Sequence, residues 1–351
     1  MQRPLLSIIV PTYNEHEQLR PFLNNLAAQQ DPGIELLFCD GGSTDGTVDE
    51  VLRLAPSFPF PIRLIHCAKG RGLQMNVGAR NAAAHTMLFL HIDSRFSDID
   101  ALQNGWSALV KIQQCKGDRI AGHFSLKFYH QEHASPGLYY HLECKARLER
   151  KECTHGDQGF MFNREFFSEL GPFDTLYPIA EDTRFAERVR LQGEWILFPA
   201  TIETSARRFE VEGFKERQIF NALLMNFASL GWTDFFEQAV GVYASQDAAG
   251  RLNLAPYLRL IQTLFQKMSY KEQLCFWYGT GRYIRNNAWQ IPFYFDTRSQ
   301  YRASLLPGGG VNRRLLFHDK WVEPLLDNPP ARILAAFLTW GWFKFSLWRQ
   351  R

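Results

Sequence analysis

The sequence predicts an α/β fold, a mostly parallel sheet with flanking helices, followed by a mainly helical, aromatic-rich C-terminal extension. Two observations carry the first part. Short apolar runs alternate with helical stretches along residues 5–93, which implies parallel strands joined by right-handed crossovers. Each of those runs also ends in a polar signature, at the edge where open α/β sheets bind ligands. The third observation is charge: residues 1–214 hold 22 Lys and Arg against 27 Asp and Glu, whereas residues 215–351 hold 17 against 9. That asymmetry points to an acidic partner for the C-terminal part.

The first strand is Leu5–Val10, closed by Pro11, and Pro11-Thr12-Tyr13-Asn14-Glu15 opens an amphipathic helix with Asn14 as its N-cap. The second, Ile34–Cys39, ends in Asp40-Gly41-Gly42-Ser43-Thr44-Asp45-Gly46-Thr47, rich in turn formers, where Asp45 reads as a helix cap. Ala55–Pro61 is a proline-rich connection to the third strand, Ile62–Cys67. Lys69-Gly70-Arg71-Gly72 follows and leads into a helix through Gln74, Met75 and Asn76. Cationic side chains, backbone amides and a helix dipole together favour an anion there.

The fourth strand, Met87–Leu90, stops on His91-Ile92-Asp93. Side chains alternate along a strand, so positions 91 and 93 are expected to share a face. A hard divalent ion accepts both an imidazole and a carboxylate. Further on, Phe160–Phe162 is a short apolar run, and the helix Arg184–Gln192 is expected after Tyr177-Pro178-Ile179-Ala180-Glu181-Asp182-Thr183. Residues 98–150 are expected to hold the later strands. Their histidines (His123, His130, His133 and His141) lack a tight metal-ligand spacing, so no zinc site is read from them.

PTYNE, DGGSTDGT, KGRGLQMNVGA and FLHID resemble the nucleotide-binding half of the inverting glycosyltransferases of family 2, which have the Rossmann-like GT-A fold. More closely, the chain resembles a bacterial subgroup with RGRxxQMNxGA, FLHAD, GDQG and TSARRxE, found here at Lys69–Ala79, Phe89–Asp93, Gly156–Gly159 and Thr204–Glu210. The resemblance runs from about Leu5 to about Gly231. It implies a GT-A domain over residues 1–231 and an extension of unknown role over residues 232–351.

The reaction so implied is transfer of a single sugar from a nucleotide-sugar donor, UDP- or GDP-linked, to a hydroxyl acceptor with inversion, using Mn²⁺ or Mg²⁺. Such chemistry needs a base for the acceptor proton and a Lewis acid for the departing diphosphate. By resemblance Asp182 is the base, Glu181 its supporting neighbour, and Asp157 faces the reaction centre. Asp93 anchors the metal with His91 beside it. Glu15 and Asp40 resemble the family's ribose and base contacts, and Pro11, Thr12 and Tyr13 belong to the donor-binding set. Lys69, Arg71, Gln74 and Ile92 complete the donor set together with Arg207 and Arg208, which are expected to meet the pyrophosphate or an anionic acceptor.

Two positions depart from the family pattern. Gly41 stands where many members carry a second acid after Asp40, and His91 replaces the first acid of the DxD motif. The QxxRW pattern of processive synthases is missing, which argues for single transfers. Three alternatives stay open: a polyprenyl-phosphate sugar synthase with a lipid-linked acceptor, a nucleotide-sugar-binding protein without catalysis, and a nucleotidyltransferase.

At 351 residues and 46% hydrophobic, the chain has material for one large core or a core with an appended unit. No apolar run approaches the ~20 residues a membrane span needs, and a strand from Leu5 leaves no room for a cleavable leader. The six cysteines contain no CxxC pair and read as reduced core residues of a cytoplasmic protein. No recognition motif for nucleic acid accompanies the C-terminal charge. That region carries Trp277, Trp289, Trp321, Trp340, Trp342 and Trp348, and ends in Lys344, Arg349 and Arg351. Leu334, Phe337, Leu338, Gly341, Phe345 and Trp348 fall on one helical stripe. Either residues 331–351 touch an anionic membrane face, or this helix packs on the catalytic domain.

Overall fold

The computed structural model describes residues 3–30, 33–129, 136–177, 180–244 and 250–349. His130, His133, Pro178, Ile179 and Arg351 lie outside the described residues. The chain divides into two compact units, residues 1–131 with 142–205, and residues 132–141 with 206–351.

The first unit runs β1 (Leu6–Thr12), α1 (His16–Ala27), β2 (Ile34–Asp40), α2 (Thr47–Leu54), β3 (Ile62–His66), α3 (Arg71–Asn81), β4 (Thr86–Phe89), β5 (Arg95–Phe96), α4 (Ala101–Lys116), β6 (Ile120–Tyr129), α5 (Pro136–Lys145), β7 (Phe160–Asn163), α6 (Arg164–Leu170), α7 (Glu181–Gln192) and β8 (Glu194–Ser205). Only the end of α5, from Leu142, belongs to this unit. The strands form one sheet in the order β3-β2-β1-β4-β7-β6-β8-β5. The first four are parallel, and β7 enters antiparallel between β4 and β6. This is the mostly parallel sheet with flanking helices that the residue pattern implied, and it is GT-A-like, as the resemblance implied.

Two strands explain the pattern. Every residue of β2 is buried, as is all of β1 except Pro11, so both read as continuous apolar runs and not as alternating ones. Pro11 does not close β1 but lies inside it, opposite Cys39. The pairing of β1 with β4 has already ended at Ile9–Phe89, so on that side the proline has no ladder to interrupt. The chain leaves β1 toward β2 on one flank and β4 on the other. That reversal is the switch point where such sheets bind ligands.

Three local expectations are corrected. Asn14 is not the N-cap of α1; it adopts a left-handed φ of 55° and its Oδ1 accepts from Thr44 N at 2.9 Å. Asp45 does the capping for both neighbouring helices, with Oδ1 accepting from Thr47 N at 3.0 Å and Oδ2 from His16 N at 3.1 Å. Helix α7 begins at Glu181, not Arg184, which puts both acids in its first turn, where a helix dipole favours negative charge. Residues 98–150 contribute β6 alone to the sheet; α4 occupies much of the remainder.

The core centres on Phe162, Phe173 and Phe185, each at most 1% exposed. Phe173 stacks on Phe185 at 4.3 Å between centroids and Phe162 on Phe185 at 5.3 Å. Each such ring stabilises by about 1.5–3 kcal/mol through burial. Helix α3 lies tight on the sheet because Gly78 lacks a side chain: a Cβ there would sit 2.3 Å from Ile9 Cγ2 and 2.9 Å from Cys39 Sγ. Cys39, Cys144 and Cys153 are buried, whereas Cys115 and Cys275 are exposed, against the expectation of six core thiols.

The second unit is helical, as expected for the extension. Its long helices are Phe214–Leu230, Thr233–Ala244, Ala255–Gln266, Tyr270–Asn286, Gln290–Arg302 and Pro329–Trp348. Aromatic rings fill its interior, among them Trp232, Phe265, Phe276 and Phe343. Gly281 lets Tyr270–Asn286 and Pro329–Trp348 approach closely, since a Cβ would fall 2.1 Å from Arg332 O. The terminal helix buries Ala336 and Phe343. Leu334, Phe337, Leu338, Phe345 and Trp348 of the predicted stripe are all exposed. Among the described residues, no helix is long and apolar enough to cross a membrane.

Candidate active site

The site is built where β1, β2 and β4 end and α3 and α7 begin, all within the first unit. Thr12 ends β1 and Asp40 ends β2, directly paired. Both are buried. The Asp40 carboxylate accepts from Gly42 N at 2.9 Å, Ser43 N at 3.1 Å and Ser43 Oγ at 2.5 Å, so it organises its own loop. Gln74, 3% exposed, donates to Thr12 O at 2.8 Å and Cys39 O at 2.7 Å. Its carboxamide thereby ties the tips of the two strands together. Outside this buried layer stand Tyr13 and Lys69, with the ammonium 3.7 Å from the ring centroid. Glu15 N donates to Thr47 Oγ1 at 2.9 Å.

His91 and Asp93 do not lie on the strand. β4 ends at Phe89, and the chain turns, with Ser94 N donating to His91 O at 3.1 Å. The alternation argument therefore fails, although the two residues still face one site. A Cβ on Gly156 would meet His91 Nε2 at 3.2 Å and Asp182 Oδ2 at 2.9 Å. The carboxylate of Asp93 lies close enough to Asp157 to influence its titration. Ile92 is buried between them in sequence.

Asp182 is the best-held group. Its Oδ2 accepts from Gly156 N at 2.8 Å and its Oδ1 from Thr183 N at 2.7 Å. Arg71 Nη2 stands 3.6 Å away, while Arg71 Nε forms an ion pair with Glu181. Burial alone would raise the Asp182 pKa; Arg71, His155, the Gly156 N–H and His91 overcome it and hold the carboxyl at about 2. Burial pushes Glu181 up to about 7 against the pull of Arg71. Burial, reinforced by the charges of Asp182 and Asp93, pushes Asp157 up to about 7 as well. Arg71 is correspondingly held in its charged form by Glu181, Asp182 and Asp157, despite its burial.

Three acids thus share a site with one guanidinium, and their environments set their protonation apart. His155 joins them through Nδ1, 2.8 Å from Thr183 Oγ1, and is kept neutral by burial, its pKa lowered to about 4. Sequence reasoning assigned His155 no role, although its place beside Gly156-Asp157 was the available signal. The Arg71–Glu181 pair was missed for a different reason: 110 positions separate the partners. Arg207 and Arg208 open a short helix in the second unit and are exposed.

Among the described residues, no group of three or more His, Cys, Asp or Glu is arranged to hold a metal ion. Asp93 and His91 offer one carboxylate and one imidazole, and Asp157 has a buried Oδ1 with no hydrogen-bond partner among the described residues.

Residues 7–171 match the family model described as glycosyl transferase family 2. The match takes in His91, Asp93 and Asp157 and ends before Glu181 and Asp182; with the glycosyltransferase relatives below it supports a transferase. A PGL/p-HBAD biosynthesis glycosyltransferase of Mycobacterium tuberculosis is 27% identical over 187 residues, covering 53% of this chain and 69% of the relative. An uncharacterized glycosyltransferase of Haemophilus influenzae is 33% identical over 94 residues, covering 26% and 30%. Among solved structures, a mannosyltransferase of Pyrobaculum calidifontis in complex with GDP-Man and Mn²⁺ shares the fold with a TM-score of 0.50 at 18% identity, covering 96% of this chain and 87% of that one.

Proposed function

We propose that the protein transfers one sugar from a nucleotide-sugar donor to an acceptor hydroxyl with inversion, with Asp182 as the general base. The observation that carries this reading is Asp182 itself, ionised and held by Gly156 N, Thr183 N and Arg71 beside His91. The acceptor oxygen attacks the anomeric carbon while Asp182 takes its proton, and the bond from that carbon to the diphosphate oxygen breaks. Glu181 keeps Arg71 in place, and Asp157 is suited to hold a sugar hydroxyl. Lys69 and Arg71 lie at the start of α3, where a diphosphate is favoured. Tyr13, Glu15 and Ile92 remain donor residues in this reading, with Asp40, Pro11, Thr12 and Gln74 as the layer beneath.

A divalent cation fits the residues present. Asp93, Asp157 and Asp182 crowd negative charge, and Asp157 Oδ1 has no hydrogen-bond partner among the described residues. Asp93 and His91 would hold such an ion, Mn²⁺ or Mg²⁺, with the diphosphate and water supplying the remaining ligands. Bound there, it would supply Lewis-acid stabilisation of the leaving diphosphate. The mannosyltransferase named above was solved with GDP-Man and Mn²⁺, which supports including GDP among the donors tested; UDP stays beside it.

The test is calorimetric titration with UDP and GDP, each with and without Mn²⁺, on the wild type, Asp93→Ala and Asp182→Asn. Metal-dependent binding of one nucleotide, lost in Asp93→Ala and kept in Asp182→Asn, is the expected result. Absence of binding under every condition would overturn the reading and favour a protein that has lost this chemistry. A second reading concerns the acceptor: the outward-facing apolar stripe of the terminal helix favours a lipid-linked hydroxyl or phosphate, with contact to a membrane's inner face through residues 331–351.

A further inference from the structure

We infer that the second unit seats on an anionic lipid bilayer through two footings, the outer face of Pro329–Trp348 and a separate one around Phe317 and Trp321. The inference deepens the lipid-linked reading of the acceptor. It rests on the second unit alone, so it stands or falls independently of the sugar chemistry.

The terminal helix contributes Leu334, Phe337, Leu338 and Trp348, each 59–68% exposed. It has 20 residues but is not apolar enough to span. With those side chains on its outward face, the helix would lie along an interface and not across it. The second footing comes from Phe317, Trp321 and Leu325, exposed by 61%, 56% and 75%. Trp321 lies within a five-residue π-helix, His318–Val322, and Phe317 immediately precedes it; such a widening is rare and is found mostly at functional places. Arg285 anchors the segment that follows the π-helix: its guanidinium donates to Glu323 O at 2.7 Å and Leu326 O at 2.9 Å. Arg332, at the start of the terminal helix, donates to Asp327 at 2.7 Å.

Charge chooses the occupant. Lys320 Nζ lies 5.0 Å from the Trp321 ring centroid, Lys344 Nζ 6.0 Å from Trp340, and Arg349 Cζ 6.0 Å from Phe345. None of these cations, nor Arg313, has a carboxylate partner among the described residues. Aromatic rings with cations laid over them suit the headgroup layer, rings toward the acyl chains and charges toward phosphates. A second copy of the chain would bring the same excess of cations to the face and bury like charges. An anionic bilayer satisfies both the apolar and the basic character.

The experiment is flotation of the full-length protein with neutral phosphatidylcholine vesicles and with vesicles containing about 30% phosphatidylglycerol. Binding to the anionic vesicles, weakened by salt, is expected; equal binding to neutral ones would overturn the charge argument. Phe317→Ser with Trp321→Ser, and separately Phe337→Ser with Leu338→Ser, should each lower partitioning by about tenfold. Lys320→Glu should also weaken binding, and circular dichroism verifies that each variant is folded. Nucleotide titration on the same samples should be unchanged by all of them. If the Phe317 and Trp321 changes have no effect, the second footing does not exist. If the protein ignores vesicles and instead dimerises with rising concentration in light scattering, the face belongs to a second copy and the inference is wrong.

Discussion

Arg71 joins the first turns of two helices: its Nε is bound to Glu181, which is wholly buried, and its Nη2 stands 3.6 Å from Asp182. The residue proposed to meet the donor is therefore also the residue that keeps the proposed base ionised.

Arg71→Ala leaves Glu181 without its charge partner. Breaking a fully buried pair costs about 3–5 kcal/mol; Arg71 keeps 31% of its side-chain exposure, so a loss of about 2 kcal/mol is expected. Urea unfolding measures it. Glu181→Gln removes the buried charge as well and should cost less, and the reverse order would refute the pairing argument.

Asp182→Asn should leave the fold and nucleotide binding intact while lowering kcat by about 10²–10⁴-fold. Because its carboxyl is held at about 2, the acid limb of the activity profile should not follow Asp182 in the free enzyme. A wild-type limb near pH 6–7 would be traced to Asp157 or Glu181, whose carboxyls are pushed up to about 7.

Two buried groups should tilt stability in opposite directions with pH. Burial lowers His123 to about 4, so below its ordinary value the unfolded chain takes up a proton the native one refuses. Stability from this group is lost as pH falls through about 6.5 to 4, by about 1.4 kcal/mol per unit at most. Asp157 is raised, so its contribution is present below about 4 and lost as pH rises toward 7. Relative to wild type, His123→Gln should gain stability toward acid pH and Asp157→Asn toward neutral pH. Thermal melts across pH 4–8 decide this, and parallel curves would contradict both.

Gly156→Ala places a methyl group 2.9 Å from Asp182 Oδ2 and 3.2 Å from His91 Nε2. Turnover should drop about tenfold or more through misplacement of the base, with little change in melting temperature. Gly78→Ala is the contrasting case. Its methyl would strike Ile9 and Cys39 in the core, so it should destabilise by about 1–3 kcal/mol without a specific effect on kcat once folded.

The parallel half of the sheet was legible because β1, β2 and β4 are buried on both faces, and such strands appear as unbroken apolar runs. The antiparallel β7 was visible only as Phe160–Phe162, and nothing local announced that it inserts beside β4. Two-residue β5 is below what any periodicity resolves. At the site, residue types were readable but conformations were not. The turn that carries His91 and Asp93 reads as strand in the sequence, since the apolar run continues through Leu90 while the ladder stops at Phe89. Asn14 looked like a cap because its residue type favours that role, yet a long-range bond to Thr44 claims it. The coupling of Arg71 to Glu181 is tertiary and leaves no trace in either segment.

Gly41 has the appearance of a lost acid, but its neighbours make it a settled choice. A Cβ at this position would press on Gln74 Nε2 and on Lys69 Cα, both at 3.1 Å. Gln74 is in turn committed to the carbonyls of Thr12 and Cys39. Restoring an acid at position 41 by a single change would therefore loosen the strand tips before it created any new contact. An acid at position 41 would thus need both the Gln74 carboxamide and the Lys69 backbone to give way by a few tenths of an ångström.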